Sequence, residues 1–321
     1  MRYPWGTERR LNAYSDYFKR EFGERLQKLT IDAGFTCPNR DGTVGRGGCT
    51  FCDNQAFNPS YNSACKPVKQ QIDEGIVFHK VRYRRVKKYL AYFQAYTNTF
   101  APLEELQRIY QPALDHPDVV GIVVGTRPDC VDEEKLAYFA ELSKKCYVVI
   151  EYGIESINNT ILKQINRCHT FEQTKHAIHR TAAHGIRSGG HIIIGLPGEE
   201  RIDWIRSAEI LSELQLHSIK FHQLQIIKGT VMEKEFRKNP EYFHQFQMEE
   251  YLQLMADIVE KLNPGFVVER IAGEINPDTA VREGWGVRYD RVLARFEEIL
   301  KERDTWQGKY YGQTLNSDLY K

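Results

Sequence analysis

Three of the chain's seven cysteines fall in one polar, glycine-rich stretch, LTIDAGFTCPNRDGTVGRGGCTFCDN, from Leu29 to Asn54. Cys37, Cys49 and Cys52 are spaced C-x11-C-x2-C, with Phe51 just before the last. Thiolates are soft ligands suited to zinc and to iron–sulfur clusters. Three of them can bond three irons of a four-iron cluster and leave the fourth iron open to a small molecule. A structural zinc ion normally takes four ligands, and Cys65 or His79 is available as the fourth. Buried thiols without a ligand are the third reading, and they fit poorly in a loop rich in Gly, Asn and Asp. An odd number of cysteines argues against a disulfide framework.

The elements that must position these residues read as alternating strands and helices. Strands are expected near Gln27–Ala33, Tyr89–Ala95, Val119–Val124, Tyr147–Tyr152, Ser188–Ile194 and Ser218–Gln225. Helical patterns separate them, near 66–88, 103–114, 133–145, 158–165, 171–184 and 202–214. The helix at 171 is opened by a capping box, Thr170 with Gln173, and ended by Gly185. Six such units imply a parallel sheet with helical crossovers. They are fewer than the eight of a closed barrel. The expected fold class is α/β, a partial (β/α)6 TIM-like barrel. Residues 1–26 read as an N-terminal leader packed on it and 27–228 as the core. Residues 229–321 read as a small α+β C-terminal extension, with a strand near 266–271. In parallel α/β folds the working residues sit at the carboxyl ends of the strands. Every distinctive motif here falls at such an end, from the cysteines to GLPGE at Gly195–Glu199.

The three-cysteine loop, the aromatic before its last cysteine and the six-unit array resemble the radical S-adenosylmethionine (SAM) superfamily over about residues 27–230. The resemblance implies a [4Fe-4S] cluster on Cys37, Cys49 and Cys52, with SAM on the open iron. Reductive cleavage of SAM there would generate a 5′-deoxyadenosyl radical. The superfamily's common spacing is C-x3-C-x2-C, so the eleven-residue first gap is a departure. GTRPD (Gly125–Asp129), EYGIES (Glu151–Ser156), NRCHT (Asn166–Thr170) and GLPGE further resemble the radical SAM portion of the Elongator catalytic subunit. A bacterial group of Elongator-like proteins, the YhcC/YtqA type, shares this likeness. That implies tRNA wobble-uridine side-chain modification, tRNA as a partner, and an electron donor such as flavodoxin or ferredoxin. No segment is long enough for the Elongator protein's acetyltransferase domain.

The resemblance also implies roles. Phe51 would stack near the SAM adenine. Gln94, Tyr96 and Asn98 would meet its amino group, and Arg127 its carboxylate or a substrate anion, since a guanidinium fork suits planar oxyanions. Glu151, Glu155 and Ser156 would bind ribose hydroxyls or line the pocket, and Gly195 would let backbone approach the adenine. The histidines at 169, 176, 179, 184 and 191 read as satisfied or exposed. GLPGE also resembles the oxygen-independent coproporphyrinogen oxidases, which keeps a small-molecule or porphyrin substrate as an alternative. A non-catalytic iron–sulfur binding protein is another.

Net charge is +1, so overall charge does not announce a nucleic-acid binder. One local run does stand out. His79–Lys88 holds six cations, Lys80, Arg82, Arg84, Arg85, Lys87 and Lys88. It is either a surface for RNA phosphates or a solvated helix end. Trp306, Tyr310 and Tyr311 could join that surface or belong to a packed terminus. No apolar run approaches the roughly 18 residues of a membrane span, and MRYPWGTERR lacks a signal-peptide apolar region. A cytoplasmic protein without membrane contact is expected.

Overall fold

A computed structural model describes residues 2–53, 56, 58–274 and 276–313. Asn54, at the end of the cysteine stretch, and the side chain of Arg82 lie outside the described residues. The chain begins with helix α1 (Tyr14–Phe22), strand β1 (Gln27–Ile31) and a one-turn helix α2 (Pro38–Asp41). It continues through α3 (Val68–Arg82), β2 (Tyr89–Phe93), α4 (Leu103–Leu114), β3 (Val119–Thr126), α5 (Glu133–Ser143) and β4 (Tyr147–Glu155). Then come α6 (Asn159–Gln164), α7 (Phe171–Ala183), β5 (Arg187–Ile194), α8 (Arg201–Ser212) and β6 (Ser218–Gln223). The last elements are α9 (Val231–Lys238), α10 (Met248–Lys261), β7 (Val267–Arg270) and α11 (Tyr289–Glu302).

All seven strands are parallel and lie in chain order, β1 to β7. Parallel neighbours require crossovers, and helices supply most of them. The six strands expected up to residue 225 are there. β7 is the addition: it lies within 229–321 yet pairs in parallel with β6, so the sheet runs through the boundary expected at 228/229.

The sheet is not flat. Six interstrand steps of about 4.8 Å would hold β1 and β7 about 29 Å apart. Instead Lys28 on β1 donates to Glu269 on β7 at 2.6 and 2.8 Å, and to Glu151 on β4 at 2.5 Å. Lys220 on β6 donates to the same Glu151 at 2.6 Å and lies 3.0 Å from Glu269. Four strands meet at one point, so the sheet curls into a partial barrel with these charges inside.

Strand alternation produces the two faces. Ala91, Phe93, Ile122, Val124, Val148 and Ile150 join the large cluster under the helices. Leu90, Tyr92, Val123, Tyr147, Val149 and Val267 point inward. Most of these lie near the amino ends of their strands, where Tyr17 and Phe18 of α1 pack on them. The leader therefore stops the amino-terminal mouth of the barrel. It also extends the sheet at β7, through an Ala13–Val268 bridge. Trp306 packs on Tyr3 with ring centroids 5.6 Å apart, and Tyr310 N donates to Glu260 O, so these two are packed on the domain, while Tyr311 is exposed. Among the described residues no helix is long and apolar enough to cross a membrane.

The interior charges make the curl testable. Lys28→Met should cost about 3–5 kcal/mol in urea unfolding, because it leaves buried carboxylates short of a counter-charge. Adding Glu269→Gln should restore part of that loss. A cost below about 1 kcal/mol would instead match a solvent-screened pair.

Candidate functional site

The eleven-residue gap between the first two cysteines folds back on itself. After Cys37, Pro38–Asp41 makes one helical turn. Val44 N and Gly45 N both donate to Pro38 O, and Gly48 N donates to Asn39 O at 2.8 Å. Gly45 passes so close to the Asn39 side chain that a Cβ there would collide with it. The result is that Cys37, Cys49 and Cys52 all line one cavity of about 180 Å³ at the carboxyl end of the sheet.

A second segment staples this loop. Asn166 donates through Nδ2 to Gly48 O at 2.8 Å and Arg46 O at 3.1 Å, while its own carbonyl accepts from Asn39 Nδ2 at 2.5 Å. Thr50 N donates to Ile165 O at 3.0 Å. Next in the chain, Arg167 is buried, with Nη1 3.5 Å from Cys49 Sγ and Nη2 donating to Gly153 O at 2.6 Å. A side chain at Gly153 would run into that guanidinium and into the Glu155 carboxylate and would push them aside. Tyr96, Glu155, Asn166 and Cys168 all have left-handed backbones, four of the five non-glycine cases among the described residues. Such conformations cost of order 1–3 kcal/mol each and gather where a site over-determines them.

The cavity also takes in Phe51, Gln94, Tyr96, Arg127, Glu151 and Glu155 from the sequence expectations. Arg127, however, is bound on both sides: its Nε and Nη2 meet Asp129 at 2.8 and 2.7 Å, and Nη1 donates to Arg167 O at 2.9 Å. It is not open to an external carboxylate. Glu151 is likewise engaged on the floor by Lys28, Lys220 and His191, the last at 2.8 Å, so it is not open to ribose hydroxyls. Burial alone would raise the Glu151 carboxyl, but Lys220 and Lys28 hold it well below the usual carboxylate range.

Three expected residues lie off the cavity wall. Asn98 is turned to the backbone, where its Nδ2 donates to Gly125 O at 2.9 Å. Ser156 donates to Glu199. Gly195 faces the Phe246 ring. The structure adds Arg40, Tyr92, Arg167 and His191 to the wall. Arg40 donates to Cys52 O at 2.6 Å, and its guanidinium lies 5.5 Å from the Tyr96 ring centre. His191 sits on β5 beside Lys220 and points inward, toward Glu151. Residue type alone hid Arg167, although it lies inside the NRCHT motif.

The basic run sits elsewhere. Lys80 and Arg82 end α3, and Arg84, Arg85, Lys87 and Lys88 lead into β2 at its amino end. The cysteines follow the carboxyl end of β1, so the run lies on the opposite rim, about one 17 Å strand length away. The exposed cations of the cysteine loop are Arg40 and Arg46.

The donor set fits an iron–sulfur cluster. Among the described residues no three His, Cys, Asp or Glu side chains are gathered as one metal ion requires. Burial pushes the Cys52 thiol up to about 11, with Cys49 adding to the effect. Arg167 Nε is buried with no partner, as is Asn39 Oδ1.

A family model described as the Radical SAM superfamily matches residues 39–211, and one described as the Radical_SAM C-terminal domain matches 216–302. The uncharacterized protein YtqA of Bacillus subtilis is 35% identical over 95% of this chain and 94% of its own length. Protein YhcC of Escherichia coli is 33% identical over 94% and 96% respectively. Partial matches include an oxygen-independent coproporphyrinogen-III oxidase-like protein, HemZ of B. subtilis, at 31% identity over 59% of this chain and 37% of that one. A tRNA uridine(34) acetyltransferase of Methanocaldococcus infernus is 26% identical over 57% of this chain and 33% of that one. In fold, the chain is similar to the archaeal M. infernus Elp3, with a TM-score of 0.65 at 16% identity. That alignment covers 88% of this chain and 64% of the Elp3 chain.

Glu199 gives a pH test of the packing beside the site. Burial pushes its carboxyl up to about 7, against the opposing pull of Ser156 and Trp204. The folded state thus holds this proton more tightly than an unfolded carboxyl of about 4.3. Stability from this group is fully present below that value and is lost as pH rises through about 7. Glu199→Gln should therefore gain on the wild type between pH 5 and pH 8, by about 1–3 kcal/mol in urea midpoints. An equal gap at both pH values would contradict the assignment.

Proposed function

Because this chain belongs to the radical SAM superfamily, we propose that it is an enzyme that cleaves SAM reductively at a [4Fe-4S] cluster, and that it acts on the side chain of a tRNA wobble uridine. The observation that carries the first part is the convergence of Cys37, Cys49 and Cys52 on one cavity at the carboxyl end of the sheet. The cluster with SAM bound would supply a 5′-deoxyadenosyl radical. The protein's own residues bind, orient and exclude water. Gln94, Tyr96, Phe51 and Glu155, which line the cavity, would hold SAM. Arg127 acts indirectly, by fixing the backbone of Arg167. An electron donor such as flavodoxin or ferredoxin would approach over the cysteine loop, where Cys37 and Cys52 are only partly covered.

The tRNA part is supported by the partial match to a tRNA uridine(34) acetyltransferase. The HemZ match keeps the porphyrin class as the second reading. RNA contact is best sought at Arg40 and Arg46, on the cavity's own rim. Lys80, Arg82, Arg84, Arg85, Lys87 and Lys88 would reach only a part of the RNA far from the reacting base.

Anaerobically reconstituted protein should be brown and should release 5′-deoxyadenosine with SAM and dithionite. Cys49→Ala should lower that release by at least a hundredfold, and full release from it would overturn the cluster assignment. Mass spectrometry of tRNA nucleosides from a strain lacking the gene should show an altered uridine. Unchanged uridines there would remove the tRNA reading and leave the radical chemistry standing.

A further inference from the structure

The Arg167 guanidinium is in an unusual electrostatic position. Asn166 and Cys168 on either side of it have φ of 54° and 56°, and this pair of left-handed residues turns the arginine inward. Its backbone N–H donates to Leu162 O at 2.8 Å, and its carbonyl accepts from Arg127 at 2.9 Å. The side chain is 9% exposed. Burying a guanidinium costs several kcal/mol unless an anion and hydrogen bonds compensate it. Glu155 Oε1 stands 3.4 Å from Nη2, a loose contact, while Arg127 nearby adds like charge. Nε has no partner at all. The group at hydrogen-bond distance from Nη1 is Cys49 Sγ, at 3.5 Å.

We propose that Arg167 is a positioning residue that sets the reduction potential of the cluster by donating an N–H to the sulfur of Cys49. This rests on the radical SAM reading above. Three thiolates on a four-iron core of charge 2+ give a net charge of −1, and one added electron makes it −2. A fixed positive charge against one of those sulfurs favours the reduced form, and hydrogen bonds to sulfur act in the same direction. Gly153 and the two left-handed residues are the local means of holding the charge there. Glu155 opposes it by drawing part of the guanidinium's field.

The test uses the full-length protein, anaerobically reconstituted, without SAM, titrated with dithionite in the presence of redox mediators and followed by electron paramagnetic resonance. Arg167→Gln should lower the reduction equilibrium constant at least tenfold, about 59 mV for a one-electron couple. Arg167→Lys should fall between that variant and the wild type, and Glu155→Gln should move the potential upward. Iron and sulfide contents should match the wild type. An unchanged potential in Arg167→Gln with its cluster intact would overturn the proposal. If Arg167→Gln takes up no cluster, Arg167→Lys and Glu155→Gln decide: unmoved potentials in both overturn it. Failure of the wild type itself to take up a cluster would instead remove the radical SAM reading.

Discussion

The fold depends on a square of buried charge. Lys28, Glu151, Lys220 and Glu269 come from β1, β4, β6 and β7, and they meet only if the sheet curls. Buried ion pairs are not in themselves a strong source of stability, because desolvation offsets the attraction. What they supply is specificity: two lysines and two glutamates satisfy one another in one curvature of the sheet. The hydrocarbon faces around them tolerate many small shifts, and the square does not. The same square forms the floor under the cysteine cavity, so the curvature of the barrel and the base of the site are set by one set of contacts. His191 and Tyr92 rest on it and face the open space above.

The rim is held by a different principle. There the backbone takes conformations that side chains resist, at Tyr96, Glu155, Asn166 and Cys168. At Asn166 the strain is balanced by hydrogen bonds to a segment distant in the chain, where its side chain bridges to Arg46 and Gly48. The cysteine loop has little apolar surface to bury and a long gap to close. It is ordered by donors and acceptors borrowed from the turn after α6, which is why two motifs more than a hundred residues apart work as one unit.

Much of this was legible in the sequence because parallel sheets write a regular signal. Apolar runs with helical segments between them marked six strands, and the polar motifs at their carboxyl ends pointed to one face. The interior was harder to read. Lys28 and Lys220 are single charges in short strands and Glu269 sits beside Arg270 in another, and a charge in a strand ordinarily marks the solvent side. Only the curl puts them inside. β7 is four residues long and follows a helical stretch, so it looked like part of an extension. Asn98, Ser156 and Gly195 belong to the right motifs, but a motif does not say which way each side chain turns. The cations of residues 80–88 show the same limit in another form. Composition marked them as a surface, while strand polarity puts them on the rim away from the cysteines.

The stopper formed by Tyr14, Tyr17 and Phe18 has a kinetic meaning. Among the described residues the amino-terminal mouth is packed shut, and the floor faces the carboxyl end, where the cysteine loop stands. A molecule that reaches the floor from that end passes the cysteine loop on the way in and again on the way out. Molecules sharing such a passage form a queue: the one that sits deepest enters first and leaves last, and whatever lies nearer the door governs its escape.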